Sequence, residues 1–380
     1  MSAVAGRIRV LHVLARYKGD YPLFNRVVRG LDPAVFSHVV CYLSGPVPAD
    51  EELRRSGFDV RVMPYGARQL RRFRPGLVRR LRRLARETGA HVVHAHRYRP
   101  TLYALLAARG LPGLRVVASV HGLNRFRSAS RRLADRLLWP GLDRVVAVSE
   151  GVRRDVLAAH PWFPEARVRV IYNGIDVAAF ARPGVDRAEA RRRLGLPAEG
   201  WIWGTAGRLS PVKGHDVLLR AWAEGGLGAR GASLALAGAG PLRDGLEVLA
   251  ADLGIRGQVA FLGELRDMPL FYAALDGFVF PSRHEGFGLA LVEALAAGLP
   301  AVASAVGGIP EVLGPLPAAG AAALVPPDDP GALAAALARF MEADAARRGT
   351  AAAAARARAG VFDAARMLAS LADLYRELVP

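Results

Sequence analysis

A single cysteine, Cys41, stands in 380 residues. No internal disulfide can form, and a reducing compartment is expected. Long apolar runs are missing too: proline, glycine or a charge interrupts each before the ~18 residues that a membrane span needs. The N-terminus shows no secretory signal, because Arg7-Ile8-Arg9-Val10-Leu11 already reads as the start of a strand. Only two lysines occur, Lys18 and Lys213, so chemistry through a lysine-bound cofactor has few candidates. Asp-x-Asp, the usual carboxylate clamp for Mn²⁺ or Mg²⁺ on a diphosphate, is absent.

Acidic residues are scarce in one half only. Residues 1–175 carry 32 Lys+Arg against 12 Asp+Glu, whereas 176–380 carry 20 against 22. A basic half beside a nearly neutral one implies an acidic partner for the first: nucleic acid, anionic lipid or an acidic glycan. The most basic segment is Arg68 to Glu87, with nine arginines. Leu70, Phe73, Leu77, Leu81 and Leu84 recur there at helical spacing, and Pro75 breaks the first part. Such a helix either lies on an anionic membrane surface or packs on a sheet with its charges in water. The charge asymmetry favours the membrane, and so a cytoplasmic protein held at the inner face of the cytoplasmic membrane.

The stretch from Pro281 to Glu311, PSRHEGFGLALVEALAAGLPAVASAVGGIPE, organises the rest. Ahead of it, Gly277 to Phe280 is an apolar run fit for a buried strand. Glu285-Gly286-Phe287-Gly288 is a turn, and Leu289 to Ala297 reads as a helix stopped by Gly298 and Pro300. Strand, glycine turn and helix start put unpaired backbone N–H groups at the mouth of a sheet, where anions bind. Glu285 and Glu293 flank that mouth. Two acids beside an anion site suit a ligand with both phosphates and hydroxyls, such as a sugar nucleotide.

Glu285 and Glu293, with the tail GLPAVASAVGGIPEVL, resemble the Glu-x7-Glu motif and flanks of retaining glycosyltransferase family 4, of the GT-B fold. The resemblance covers nearly the whole chain and is sharpest from Tyr172 to Leu313. It implies two doubly wound Rossmann-like α/β domains facing across a cleft. The first, 1–175, would bind the acceptor and be joined by a C-terminal helix, 362–380. The second, 176–361, would bind the nucleotide sugar. A bacterial enzyme of lipopolysaccharide-core or other cell-surface glycan synthesis is one form this could take.

The chain agrees with that organisation in order. Strands are expected at 9–14, 38–43, 60–63, 91–96, 116–120, 144–148 and 168–172, and later at 201–204, 233–237, 259–262, 277–280, 302–304 and 323–325. Asn173-Gly174-Ile175-Asp176 looks like the family's junction segment. Gly19 stands where family members often carry a double-glycine loop near the donor phosphates. The strand end His94-Ala95-His96 resembles a family pattern whose second histidine opens toward the cleft, making His96 an acceptor-side candidate. His94 and His96 share a strand face, but a metal would need a third ligand, and none is evident. His121, ending another strand before Gly122, matches the family histidine near the donor sugar; a structural histidine is the alternative.

After the first strand of the second domain, Arg208 and Lys213 match an Arg and a Lys that the family points at the donor diphosphate. Leaving diphosphate gains negative charge, and two fixed cations meet it, each worth roughly 3 kcal/mol by analogy with oxyanion donors. Gly238-Ala239-Gly240-Pro241 lacks the third glycine of a dinucleotide fingerprint. Leu262 and Gly263 match a strand end whose backbone contacts the base. The resemblance assigns Glu293 to the ribose hydroxyls, and Glu285 with Gly286, Phe287, Gly288 and Leu289 to donor sugar and phosphate. It also implies retention at the anomeric carbon, with a UDP-sugar as the family-level donor. With Asp-x-Asp absent, Arg208, Lys213 and the helix start at Gly288-Leu289 can replace a metal's charge, so no metal and no other cofactor is expected. The competing readings are a sugar-nucleotide epimerase of the same fold and a basic nucleic-acid-binding protein. The arginines show no aromatic-interleaved or helix-turn-helix pattern that would support the second, so no nucleic-acid partner is expected.

Overall fold

The structure, a computed structural model, describes residues 6–17, 21–49, 51–66, 68–123 and 128–380. The chain forms two compact units, Met1–Gly174 with Ala364–Pro380, and Ile175–Asp363. The first is built on seven parallel strands: β1 (Ile8–Leu14), β2 (Phe36–Tyr42), β3 (Asp59–Val62), β4 (Val92–His96), β5 (Arg115–Val120), β6 (Arg144–Ala147) and β7 (Val168–Val170). Their order is β3-β2-β1-β4-β5-β6-β7. The second holds β8 (Trp201–Ala206), β9 (Ala232–Ala237), β10 (Val259–Gly263), β11 (Gly277–Phe280), β12 (Ala301–Ser304) and β13 (Ala322–Val325), in the order β10-β9-β8-β11-β12-β13.

Parallel strands covered on both faces read as continuous apolar runs. β1 buries every residue but Arg9, and β11 buries all four of its residues. On one face of the first sheet, Val10, Phe36, Val92 and Val117 pack with Met367, Leu371, Leu374, Tyr375 and Leu378 of the helix Ala364–Leu378. The core of the second unit gathers Trp203, Leu218, Trp222, Leu234, Leu236 and Leu337. Fully burying a side chain of this size stabilises by about 1.5–3 kcal/mol.

The basic segment divides at its proline. Gln69–Arg71 is a single 3₁₀ turn, and Pro75 opens the helix Pro75–Glu87, since its missing N–H costs nothing there. Leu77 and Leu81 are fully buried and Leu84 nearly so. The helix packs against the helix Tyr98–Ala108, and burial within the unit therefore accounts for the leucines. What the helix offers an anionic surface is charge alone, through the exposed Arg79, Arg80, Arg83 and Arg86. Among the described residues, no helix is long and apolar enough to cross a membrane.

Candidate active site

In the second unit the strand order reverses between β8 and β11, which pair through Gly277↔Trp203 and Phe278↔Gly204. Open parallel sheets bind ligands beyond the carboxyl ends of their strands at such a point. The loop after β8 carries Arg208 and Lys213; the loop after β11 carries Arg283, Glu285 and the Gly286–Leu289 turn. Arg283 locks the two together. Its backbone N–H donates to the Val212 carbonyl at 2.9 Å. Its guanidinium donates to the Pro211 carbonyl at 2.7 Å and to both Asp216 oxygens at 2.8 and 2.7 Å. Hydrogen bonds from Arg283 hold the Asp216 carboxyl below its usual range. Gly214 completes the contact: its φ is +65°, and a Cβ there would stand 2.0 Å from the Pro281 carbonyl oxygen. Only glycine allows that approach.

The locked loops bring Lys213 to Glu285. Nζ donates to Oε2 at 2.5 Å and sits 4.9 Å over the Phe280 ring. Sequence reading gives these residues separate tasks, diphosphate and sugar hydroxyls; the structure joins them as an ion pair. Arg208, two residues beyond β8, is exposed. Its loop rests on the Gly-Ala-Gly-Pro turn: Leu209 N–H donates to Ala239 O at 3.0 Å, and a Cβ on Gly238 would stand 1.9 Å from Gly207 O. The glycines of that turn serve backbone contact between two loops.

Gly288, at φ 100°, caps the helix Leu289–Ala296. The first N–H groups of a helix have no intrahelical acceptor and favour an anion. Glu293 lies on this helix and accepts from the Tyr272 hydroxyl at 2.8 Å. Burial, then Glu293, raises the Tyr272 pKa well above the ordinary phenol value, so the hydroxyl stays a donor. Leu262 and Gly263 end β10, with Gly263 O accepting from Gly238 N at 2.6 Å. Tyr272 and Arg283 escape a sequence reading, since a lone Tyr and a lone Arg carry no spacing signal.

In the first unit the order reverses between β1 and β4. His96 ends β4, and the His121 ring, just past β5, stacks 5.9 Å from it. Arg97 follows at φ 75°, ψ 170°, a region essentially reserved for glycine that costs about 1–3 kcal/mol for other residues. Its N–H donates to Ser119 O at 3.1 Å, and its carbonyl accepts from the Thr101 hydroxyl at 3.0 Å. A cavity of about 570 Å³ opens here, lined by Arg72, Arg97, Arg99, Arg131, Tyr98 and His121, among others. The Arg131 guanidinium lies 4.9 Å over the Tyr98 ring.

The fold corrects one expectation at this end. His94 and His96 do have a third histidine beside them, His12 on β1, with ring nitrogens of all three within 4.8 Å. Alternation on β1 puts His12 on the same face, but it sits inside an apolar run that hides it. Both His94 nitrogens are engaged, with the Tyr375 hydroxyl at 2.6 Å and the Ser119 hydroxyl at 2.7 Å. The His94 ring stacks on His96 at 4.5 Å, so its lone pairs do not converge with those of its neighbour. Gly19 lies outside the described residues.

Comparison with known proteins gives these features a class. Residues 186–357 match the model of Glycosyl transferases group 1, and residues 25–179 that of Glycosyltransferase Family 4. The structure superposes on a glycosyltransferase from Rickettsia africae with a TM-score of 0.85, at 18% identity over 98% of this chain and 99% of that one. It superposes on Anabaena Alr3699/HepE, solved with UDP and glucose, with a TM-score of 0.81, at 23% identity over 97% and 99%. The architecture is that of the GT-B glycosyltransferases. In sequence, D-inositol 3-phosphate glycosyltransferase of Salinispora tropica is 32% identical, covering 98% of this chain and 80% of the relative. The Mycobacterium tuberculosis protein of the same name is 32% identical over 78% of this chain, which spans 62% of that relative. The chain belongs to glycosyltransferase family 4 and is a glycosyltransferase.

Proposed function

We propose that the protein transfers a hexosyl unit, with retention, from a nucleotide-diphosphate sugar to a hydroxyl of an acceptor that carries negative charge. The observation that carries the reading is the Lys213–Glu285 pair beside the Gly286–Leu289 turn at the switch point of the second sheet. A cation and a helix start next to each other suit a leaving diphosphate. Diphosphate oxygens compete with Glu285 for Lys213, which frees the carboxylate for sugar hydroxyls. Arg208 supplies the second cation, and Glu293, oriented by Tyr272, accepts from the ribose. His121 and His96 offer ring nitrogens to sugar hydroxyls. The fixed cations stand in for a metal in this scheme. UDP is the favoured nucleotide, in keeping with the ligand bound to HepE.

For the acceptor, the arginine-lined cavity favours a phosphate-bearing molecule, in keeping with the inositol phosphate named for the relatives. A phosphorylated glycan or lipid at the inner membrane surface, such as a lipopolysaccharide core, offers the same chemistry. Retention fits same-face attack, with the departing phosphate oxygen taking the proton of the acceptor hydroxyl. The test is a thermal-shift screen against UDP, GDP, ADP and dTDP sugars, followed by hydrolysis and transfer assays with the stabilising donor. A UDP-sugar that stabilises the protein and reaches a phosphorylated acceptor with its anomeric configuration kept supports the reading. Stabilisation by none of the donors refutes it.

A further inference from the structure

One face of the first sheet carries a row of imidazoles, of which the proposed reaction uses only the last, His96. His38 Nδ1 on β2 lies 3.0 Å from His12 Nε2 on β1, and His12 Nδ1 lies 3.3 Å from His96 Nε2 on β4. The ring centres are 5.2 and 5.6 Å apart at shallow angles, which suits rings meeting edge to edge. Burial lowers all three below the ordinary imidazole pKa, His38 to about 4. Each is therefore neutral near pH 7, with one N–H and one lone pair.

Neutral imidazoles in a row must all point their N–H groups the same way. In one direction the outermost N–H falls on His38 Nε2, which is buried and has no hydrogen-bond partner among the described residues. In the other direction that atom holds a lone pair. An orphaned buried N–H is the rarer and costlier of the two. The row then runs from His38 to His12 to His96, each Nδ1–H donating to the next Nε2. It leaves an N–H on His96 Nδ1, on the part-buried ring that ends β4 at the ligand-binding edge of the sheet.

We propose that His38 and His12 are positioning residues, which fix His96 as an Nδ1–H donor toward a substrate oxygen. The choice of tautomer by the hydrogen bond at the other nitrogen is general for histidine. His94, stacked on His96, steadies the ring plane from outside the row. The functional half of the proposal rests on the reading of His96 as a substrate contact.

The test is long-range ¹H–¹⁵N correlation on the histidine-labelled full chain at pH 7, with His96 assigned by loss of its signal in His96→Gln. The expected spectrum shows Nδ1 protonated and Nε2 bare. In His38→Leu the His96 signals move toward a mixed tautomer, and kcat falls about tenfold, one ordinary hydrogen bond's worth, with the donor KM unchanged. A wild-type spectrum with Nε2–H on His96 overturns the proposal, whether or not His38→Leu folds. So does a folded His38→Leu protein with an unchanged spectrum and rate. An Nδ1–H spectrum in a protein that transfers from no nucleotide sugar counts instead against the proposed function.

Discussion

Lys213 and Glu285, 72 residues apart in sequence, share a hydrogen bond of 2.5 Å because a glycine beside one rests against the backbone just ahead of the other. The pair closes the gap between two loops that leave neighbouring strands. Its members are 22% and 17% exposed, enough for a diphosphate to reach them. In the proposed scheme, removing the cation takes charge away from where the leaving group gains it. Lys213→Ala is expected to lower kcat roughly 10²–10³-fold, the range for one preorganised donor. Glu285→Gln lowers it as well. Steady-state transfer rates check both, with circular dichroism to establish folding. Wild-type rates in either folded variant would remove the pair from the site.

Gly214 makes the sharpest stability prediction. Alanine there meets both a positive φ and a Cβ position 2.0 Å from the Pro281 carbonyl oxygen. Strain of this kind costs about 1–3 kcal/mol, and the loops must also part to relieve the clash. Gly214→Ala should lower the melting temperature by several degrees and weaken donor binding together. Calorimetry and nucleotide titration read the two effects. An unchanged melting temperature would mean that the loops do not meet as described.

Arg283 and Asp216 give a dependence on pH. The Asp216 carboxyl is held low by the guanidinium, so its contribution is present above the unfolded value of about 3.9. It is lost as pH falls through the lower, folded value. Arg283→Gln should therefore melt below the wild type at pH 7, and the difference should shrink below about pH 4. Asp216 is about one-third exposed, which keeps the effect small. Melting curves of both proteins across that range decide it; a gap that widens in acid contradicts the assigned pair.

Metal removal probes the proposed diphosphate site from another side. Asp-x-Asp is missing, and Arg208 and Lys213 follow β8, where the proposed scheme needs positive charge. Transfer should survive prolonged chelation with EDTA and show no rise on adding Mn²⁺ or Mg²⁺. Activity abolished by the chelator and restored by either ion would assign the phosphate charge to a metal.

Much of the fold was legible because buried parallel strands leave a plain mark. Gly277-Phe278-Val279-Phe280 reads as a strand from its residues alone, and β11 has those bounds. Boundaries slip where a polar residue is buried. β8 continues through Thr205 to Ala206, past the end of the apolar run at Gly204, because Thr205 is covered inside the unit. The last helix begins at Ala364, after a 3₁₀ turn over Gly360–Phe362 that periodicity does not resolve. Within the candidate site, Arg208, Lys213 and the two glutamates were visible through motif spacing. Their pairing was not, because it depends on a backbone contact between distant loops. His12 and His38 went unread because one histidine in an apolar strand looks like any tolerated core residue. Only the sheet order aligns three of them.

Arg97 joins strain to charge, and a substitution separates them. Its backbone sits where glycine alone is comfortable, directly after His96, and its side chain lines the cavity with Arg72, Arg99 and Arg131. Strained non-glycine residues persist where the surroundings over-determine them, often beside ligands. Glycine at 97 relieves about 1–3 kcal/mol of strain and forfeits about 0.5–1 in chain entropy. Arg97→Gly should accordingly melt no lower than the wild type, an unusual outcome for a loss of side chain. If the cavity holds a phosphate-bearing acceptor, the same variant should raise the acceptor KM about tenfold or more, the loss of one charge-assisted hydrogen bond. Donor hydrolysis without acceptor should keep its wild-type rate. Arg131→Gln, which leaves the backbone alone, should raise the acceptor KM without the gain in stability. Higher salt should weaken acceptor binding in the wild type more than in either variant, since fewer charges then take part. Equal acceptor KM values in all three proteins would exclude the cavity as the acceptor site, while the melting curves would still report on the strain.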